Sequence, residues 1–323
     1  MKVSVCIPTY NASEYLRECI ESVLSQTFKN IEIIVSDNAS TDSTCEIVRS
    51  YSDPRIQLYR LDRNEGMAFN FNHAGSLAHG EYVKFLCADD LLEPACVEKQ
   101  AELLDRHPEI IIASAGVHFI DPAGRRLRTH CWVSRETVLN QADVIARNLV
   151  YGNVIGNPSA VLIRRKGLLK AGPFSANLPQ GIDVEMWLRL MDLGPVGFLP
   201  EPLCGFRLHQ EAMTERLRKE GLIRQDVLRV TQMMLGRVTP SLAARRACWG
   251  RVAGSYLKQM MAGLRSGHLR WPLAALWQAF RIDPAFAGLM IHLFLLRPGL
   301  VGLRVQGSSS LKLRLGSTLR EQN

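Results

Sequence analysis

The first 115 residues alternate short apolar runs with amphipathic segments, and this alternation constrains the fold more than any other feature of the chain. The apolar runs have the length and β-branched content of buried strands, and the segments between them place apolar residues at helical spacing. Because strands that alternate with single helices connect by right-handed crossovers, we expect an α/β fold with a mostly parallel sheet covered by helices on both faces. The predicted strands are residues 3–7, 31–35, 56–61, 82–86 and 110–115, and the predicted helices are residues 13–26, 67–78 and 94–107, with another that ends near residue 51.

Periodicity weakens after residue 116, although short β-like pieces and two helical stretches continue toward residue 214. We expect this stretch to complete the same domain, so that residues 1–214 form one domain and residues 215–323 form a basic, mostly helical C-terminal region. A chain of 323 residues has room for one large domain and such an appendage. The β-like pieces are residues 117–120, 159–163, 196–199 and 204–208, and the helical stretches are residues 142–149 and 183–191.

The net charge of +8 is concentrated at one end of the chain. Residues 1–214 carry 21 basic and 26 acidic side chains, a net charge of −5, whereas residues 215–323 carry 18 basic and 5 acidic side chains, a net charge of +13. No recognised nucleic-acid-binding motif accompanies this excess, so we expect no nucleic-acid partner. Tryptophans lie among the arginines, at Trp249, Trp271 and Trp277, which favours binding to an anionic membrane surface. The alternative is a helical bundle that packs on the first domain with its arginines solvated.

Three further features bear on the compartment. The eight cysteines are scattered without C-x-x-C or metal-ligand spacing, as is typical of a reducing compartment. The first residues lack the pattern of a signal peptide, and the chain has no apolar run of about 20 residues that would span a membrane. The apolar stretch at residues 285–296 has the length of an interfacial or buried helix. We therefore predict a cytoplasmic protein that is peripheral on the inner face of the plasma membrane.

Polar and aromatic side chains follow the first four predicted strands. Ligands of such sheets bind beyond the carboxyl ends of the strands, so these residues are candidates for chemistry. Tyr10 can cover a base or a ribose, and Asp37 can accept the imide N–H of uracil or thymine. Asp89 and Asp90 offer the oxygen ligands that hard divalent cations prefer. The alternatives are structural, because both acidic groups can cap the helices that follow them. The four groups are Pro8-Thr9-Tyr10-Asn11, Asp37-Asn38, Asn64-Glu65-Gly66 and Asp89-Asp90.

Taken together, these segments resemble the family 2 glycosyltransferases of the GT-A fold. The resemblance covers about residues 2–214. It implies a Rossmann-like, mostly parallel sheet flanked by helices, in which residues 1–115 bind a nucleotide and residues 116–214 face the acceptor. The matching segments are VSVCIPTYNASEYLRECIESVLSQT, IEIIVSDNASTD, RNEGMAFNFN, KFLCADD, GIDVEMWLRL and FRLHQEAMT.

The resemblance also implies a reaction and a set of site residues. A sugar would move with inversion from a UDP- or dTDP-sugar to a hydroxyl of a saccharide acceptor in cell-surface polysaccharide synthesis. The basic C-terminal region, and not the resemblance, favours a lipid-linked acceptor. Asp183 takes the position of the general base, and its alternative is a helix N-cap. Asp90, Asp89 and His209 take positions around a Mg²⁺ or Mn²⁺ ion. The positions that would contact the nucleotide sugar are Pro8, Tyr10, Asp37, Asn64, Asp89 and Arg207.

Two residues depart from the family pattern. Cys87 stands where the family often has another Asp, so a site of three carboxylates is not available. Ile182 replaces the acidic residue that usually precedes the base, so Asp183 lacks a like-charged neighbour. The helix dipole would lower the pKa of Asp183 and burial beside Trp187 would raise it, and the sequence does not decide between the two effects.

Two other enzyme classes and a non-enzyme are alternatives. A sugar-1-phosphate nucleotidyltransferase needs a glycine-rich, basic loop after the first strand, and the segment PTYN offers none. A nicotinamide-dependent dehydrogenase needs G-x-G-x-x-G there, which is also absent. A non-catalytic nucleotide-binding scaffold stays open, as does a purely structural role for Arg207 and His209.

Overall fold

The computed structural model describes residues 2–178, 181–213 and 223–239. Within these residues the chain forms ten strands, eight α-helices and one short 3-10 helix (Pro158–Ala160), and the strands join into one sheet. The strands are β1 (Val3–Thr9), β2 (Ile31–Asp37), β3 (Ile56–Arg60), β4 (Tyr82–Phe85), β5 (Leu91–Leu92), β6 (Ile112–Ile120), β7 (Arg126–His130), β8 (Thr137–Leu139), β9 (Val161–Arg164) and β10 (Val196–Arg207). The helices are α1 (Leu16–Leu24), α2 (Thr44–Arg49), α3 (Met67–Ser76), α4 (Cys96–Arg106), α5 (Gln141–Tyr151), α6 (Arg165–Ala171), α7 (Ile182–Met191) and α8 (Ile223–Leu235).

Six strands of the sheet run in the same direction, which confirms the predicted α/β architecture with a mostly parallel sheet. In order across the sheet they are β3, β2, β1, β4, β6 and β10, with the antiparallel strand β9 inserted between β4 and β6. The antiparallel strands β5 and β8 pair with β10, and β7 pairs with β6. Thr9 at the end of β1 pairs with Asp37 at the end of β2, so the loops that follow these strands begin side by side.

Two hydrophobic clusters cover the two faces of the sheet and hold the helices against it. The side chains of β2 alternate between them, since Ile33 and Val35 belong to one cluster and Ile34 to the other. The first cluster includes the buried residues of α1 and α4. The second includes those of α3, α5 and α7, with Trp187 fully buried in it. Both faces of the central strands are therefore covered, as their continuous apolar runs predict.

The structure corrects the sequence prediction mainly in the second half of the sheet. The predicted pieces 196–199 and 204–208 form one strand, β10, and the piece 117–120 belongs to β6. β10 continues through Pro200 and Pro202 because its pairing with β6 shifts register there, and such irregularities accommodate proline in a strand. Strand β7 was not predicted, because all of its residues are exposed and its sequence shows no alternation of apolar and polar residues.

Helix α8 lies in the predicted C-terminal region and packs against the first domain. Its residues Val230 and Met234 are buried in the same cluster as α7. Among the described residues, no helix is both long enough and apolar enough to cross a membrane. The predictions that fall outside the described residues, and stay predictions, are the domain boundary after residue 214, the tryptophans Trp249, Trp271 and Trp277, and the apolar stretch 285–296.

Candidate active site

The loops after β1 and β2 form the first part of the candidate site, and hydrogen bonds interlock them. The Asn11 backbone N–H donates to Ser40 Oγ at 2.9 Å, and Asn11 Oδ1 accepts from the Thr41 backbone N–H at 2.8 Å. Asn11 and Ala39 both have left-handed backbone conformations, with φ values of 51° and 59°. Asparagine adopts this conformation readily, whereas alanine does so at a cost, so the backbone strain lies at Ala39.

Asp37 is completely buried, and its carboxylate is bound by its own loop. Oδ2 accepts from the Ser40 backbone N–H at 3.1 Å, Oδ1 accepts from Thr9 Oγ1 at 3.4 Å, and the Arg60 guanidinium lies 3.5 Å away. These bonds stabilise the loop itself and do not cap α2, because the Thr44 backbone N–H at the start of α2 donates to Asp42 Oδ1 at 3.0 Å. A contact between Asp37 and a uracil imide would require the loop to open, and it stays a prediction.

A third loop joins the same edge of the sheet through asparagine side chains. Asn38 is buried, donates from Nδ2 to Asn64 Oδ1 at 2.8 Å, and accepts from the Glu65 backbone N–H at 2.9 Å. Asn64 itself is exposed, Tyr10 is 42% exposed, and Pro8 is half-buried. The structure thus brings Pro8, Tyr10 and Asn64 to one open edge of the sheet, where a ligand can reach them.

Asp90 lies beneath this edge and connects three parts of the chain. It is 1% exposed. Its Oδ2 accepts from Ser159 Oγ at 2.6 Å and from Asn157 Nδ2 at 2.8 Å, and its Oδ1 accepts from the Arg207 backbone N–H at 3.0 Å. Burial and the charge of Asp89 raise the pKa of Asp90, and the three donors act in the opposite direction.

Asp89 faces His209 on the more open side of the same turn. Asp89 Oδ2 lies 2.9 Å from His209 Nε2, and the imidazole packs on the Tyr15 ring with 4.9 Å between the ring centroids. The other imidazole nitrogen, Nδ1, is buried and has no hydrogen-bond partner among the described residues. His209 therefore directs Nε2 toward the carboxylate pair.

Arg207 donates hydrogen bonds to both residues of the carboxylate pair. Its guanidinium donates to the Asp89 carbonyl at 2.8 Å, to the Pro122 carbonyl at 2.7 Å and to the Glu18 carboxylate at 2.7 Å. It also lies over the Tyr15 ring at 4.6 Å, and its side chain is fully buried. The predicted contact of Arg207 with the nucleotide sugar would therefore need a rearrangement, and it stays a prediction.

The side chains around this turn fit a hard divalent cation. Donor atoms of Cys87, Asp89 and Asp90 lie within 4.8 Å of one another. The Cys87 thiol is a soft ligand, which Mg²⁺ and Mn²⁺ disfavour. The remaining donors are carboxylate oxygens and the His209 imidazole. Oxygen ligands suit Mg²⁺ and Mn²⁺, so this donor set fits the metal that the resemblance implies.

Asp183 lies in the first turn of α7, and burial dominates its protonation. Its Oδ1 accepts from the Val184 backbone N–H at 2.7 Å, and its Oδ2 accepts from Asn153 Nδ2 at 3.2 Å. Burial raises the pKa of Asp183 to about 6, although backbone N–H groups lower it. A carboxylate with this pKa is deprotonated at neutral pH and can still accept a proton, as a general base must.

One loop, residues 152–159, connects Asp183 with the Asp89-Asp90 pair. At one end Asn153 binds Asp183, and at the other end Ser159 binds Asp90. Sequence reasoning did not assign a role to Asn153, because an amide that bonds to a residue 30 positions away leaves no periodic pattern. The turn-forming residues of this loop were the one feature of the sequence that could have indicated a role for Asn153.

The fold and the site together are those of a glycosyltransferase with the GT-A fold. The sheet is mostly parallel, a carboxylate pair follows its fourth strand, and a loop links that pair to a carboxylate on α7. The model of the family described as Glycosyl transferase family 2 matches residues 4–171. The chain belongs to this family.

Curated relatives agree with this assignment. The putative glycosyltransferase EpsE of Bacillus subtilis is 30% identical over 67% of this chain and 76% of that protein. An uncharacterized glycosyltransferase of Rickettsia conorii is 30% identical over 67% of this chain, which spans 35% of that longer protein. The chondroitin synthase of Escherichia coli is 26% identical over 73% of this chain and 33% of that protein.

Solved structures share the fold at low sequence identity. S. aureus TarS (residues 1–349) in complex with UDP superposes with a TM-score of 0.56 at 19% identity, over 85% of this chain and 90% of that chain. The mannosyltransferase PcManGT of Pyrobaculum calidifontis, in complex with GDP-Man and Mn²⁺, superposes with a TM-score of 0.55 at 19% identity, over 92% of this chain and 81% of that chain.

Replacing Ser159 with Ala should lower the free energy of unfolding by about 1–3 kcal/mol. Asp90 loses the donor at 2.6 Å, and the Cys87 backbone N–H loses its acceptor at 3.1 Å. Urea unfolding measures the change. The control is Ser76→Ala, which removes an exposed hydroxyl and should change the free energy by less than about 0.5 kcal/mol. Equal small effects of the two substitutions would show that Ser159 does not support the Asp90 turn.

Proposed function

We propose that this protein is an inverting glycosyltransferase that moves a sugar from a UDP- or dTDP-sugar to a hydroxyl of a saccharide acceptor. The observation that carries the proposal is the linkage of Asp183 to the Asp89-Asp90 pair by one short loop beside the carboxyl edge of the sheet. Such a pairing supplies a base for an acceptor and ligands for a metal next to a donor.

The similar proteins support the classes of donor and acceptor. The TarS structures with UDP and UDP-GlcNAc support a uridine donor, and the PcManGT complex supports a nucleotide sugar used with a divalent metal. The chondroitin synthase relative supports a role in polysaccharide synthesis. The second candidate, a nucleotide-binding scaffold, would bind such donors without releasing the nucleotide.

The proposed reaction is a single displacement at the anomeric carbon. The acceptor hydroxyl attacks from the face opposite the nucleotide, and the bond between the anomeric carbon and the diphosphate oxygen breaks, so the configuration inverts. The electron pair of the broken bond leaves with the nucleoside diphosphate. Asp183 accepts the hydroxyl proton on its carboxylate as the new C–O bond forms.

The donor side of the site would hold the leaving group. Asp89, Asp90 and His209 would hold Mg²⁺ or Mn²⁺, which when bound would supply positive charge beside the departing diphosphate. Tyr10 would cover the base or the ribose, and Asn64 would lie along the nucleoside. The buried hydrogen bonds of Asp90 keep this turn in place during the reaction.

We also propose that the protein is peripheral on the cytoplasmic face of the plasma membrane and acts on a lipid-linked acceptor. The support is the net charge of +13 in residues 215–323 and the tryptophans among their arginines. Each cation near an anionic surface contributes about 1 kcal/mol to binding.

Replacing Asp183 with Asn should lower kcat by about 10²–10⁴-fold, because the amide cannot accept the acceptor proton. For the wild type, kcat should rise with pH up to about 6 and level off above it, since Asp183 acts only when deprotonated. Release of UDP or dTDP across the pH range measures both effects. The control is Asp143→Asn, which changes an exposed carboxylate in the first turn of α5 and should keep the wild-type rate. Full activity of Asp183→Asn would contradict the base assignment.

UDP- or dTDP-sugars should raise the melting temperature of the wild type only when Mg²⁺ or Mn²⁺ is also present. A ligand at 100 times its Kd stabilises the folded state by about 2.7 kcal/mol. His209→Ala should remove most of the metal-dependent shift, whereas His107→Ala, at the end of α4, should keep it. Scanning fluorimetry with a panel of nucleotide sugars makes the measurement. A shift with CDP- or GDP-sugars alone would contradict the role of Asp37.

The full-length protein should co-sediment with vesicles that contain phosphatidylglycerol and should dissociate as salt is raised, because the attraction is electrostatic. Reversing Arg245 and Arg246 to Glu should weaken the binding several-fold. Reversing Arg135 and Arg147, which are exposed in the first domain, is the matched control and should not. Salt-insensitive binding, or none, would exclude this mode of membrane attachment.

A further inference from the structure

Helix α8 and the turn that follows it, which contains Arg237, contact both ends of α7, the helix that carries Asp183. At the first end, the backbone N–H of Gly181 donates to Asp226 Oδ2 at 3.2 Å, and Asp226 is 3% exposed. At the other end, Asp192 accepts two hydrogen bonds from the Arg237 guanidinium, at 3.0 and 3.2 Å. Gly181 and Asp192 are the N-cap and the C-cap residues of α7. Charged side chains from one segment therefore hold both termini of the helix.

The spacing of these contacts fits two helices that run side by side in the same direction. Gly181 and Asp192 are eleven positions apart, as are Asp226 and Arg237. At a rise of about 1.5 Å per residue, the separation along α7 is roughly 16 Å, and the partner residues cover it with most of α8 and the turn after it. The carboxylate lies at the positive end of the α7 dipole and the guanidinium at the negative end, so both contacts are electrostatically favourable.

Gly181 permits the close approach of the two helices. A Cβ atom at this position would lie 2.8 Å from Val230 Cγ2 and 3.5 Å from Asp226 Cβ. The backbone of Gly181 has a φ of −86°, which any residue adopts, so glycine is needed here for space. Val230 is buried in the core and β-branched, and it has little freedom to move aside.

We propose that α8 is a positioning element for the general base, with Asp226 fixing the first turn of α7 and thereby the direction of the Asp183 carboxylate. The inference rests on the proposed role of Asp183. Asp183 lies two residues after Gly181, and among the described residues its one side-chain donor from outside α7 is Asn153, at 3.2 Å. The hydrogen bond to Asp226 therefore restrains the turn that carries the base, in addition to the packing of the α7 side chains in the core. A displacement of about 1 Å at a reacting group can reduce the rate about 100-fold.

The test compares Asp226→Ala with Asp226→Asn in the full-length protein. Asp226→Ala should speed the hydrogen–deuterium exchange of the amides of residues 181–187 and should lower kcat for UDP-sugar hydrolysis by about 10–100-fold, with the KM for the donor unchanged. Asp226→Asn keeps an acceptor oxygen for the Gly181 N–H and should restore most of both properties. A general loss of folding would not lower kcat at an unchanged KM, and it would not be reversed by Asp226→Asn.

Two further variants complete the comparison. Gly181→Ala should act in the same direction as Asp226→Ala, because the added methyl group separates the helices, and it replaces Asp226→Ala if that variant does not fold. Arg229→Ala is the control, since Arg229 lies on α8 but donates to the Asn177 carbonyl and not to α7.

Unchanged exchange at residues 181–187 in Asp226→Ala would overturn the proposal, as would an equal loss in Arg229→Ala. Hydrogen exchange also separates this inference from the proposed function. If the wild type hydrolyses no nucleotide sugar, the proposed function fails, and the exchange data still decide whether Asp226 holds α7.

Discussion

A buried carboxylate must accept hydrogen bonds from the protein around it, and the geometry of the site depends on how Asp90 meets this requirement. Its donors come from Asn157, Ser159 and Arg207, which lie 67, 69 and 117 positions further along the chain. These bonds attach the turn after β4 to the loop before β9 and to the end of β10. Because Asp90 is buried, Asp89 is the more accessible carboxylate of the pair, and it contacts His209.

Asp183 accepts hydrogen bonds from fewer parts of the chain than Asp90 does. This difference suits a proposed base, whereas Asp90 is a proposed metal ligand. One side-chain amide and the backbone of its own helix bind it, so burial dominates and raises its pKa to about 6. Additional donors would make the carboxylate a weaker base, and stronger burial would leave it protonated at neutral pH. The loop 152–159 supplies partners to Asp183 and to Asp90, so one segment relates the proposed base to the proposed metal ligands.

The sequence predicted those parts of the fold that leave a periodic pattern in the chain. Strands β1 to β4 are marked by apolar runs because hydrophobic clusters cover both faces of the sheet. The direction of β9 and the existence of β7 leave no such mark, since apolar content does not encode strand direction and β7 is exposed. The position of Asp89 at the edge of the sheet was predictable, because parallel topology places the residues that follow the strands at one edge. The burial of Arg207 and the contact of Asn153 depend on bonds between distant positions, which no local pattern reveals.

The site is assembled from two parts of the chain that differ in their relation to the family. Residues 4–171 match the family model and contain the donor-side carboxylates, whereas Asp183 and His209 lie beyond that segment. The two parts belong to one sheet, because β10 pairs with β6, and α7 packs in the same hydrophobic cluster as α3 and α5. At the site itself, hydrogen bonds of Asp90 and Asp183 connect the two parts. Side chains near the proposed base can then vary without disturbing the proposed metal ligands, provided that the partners of Asp90 and Asp89 stay in place.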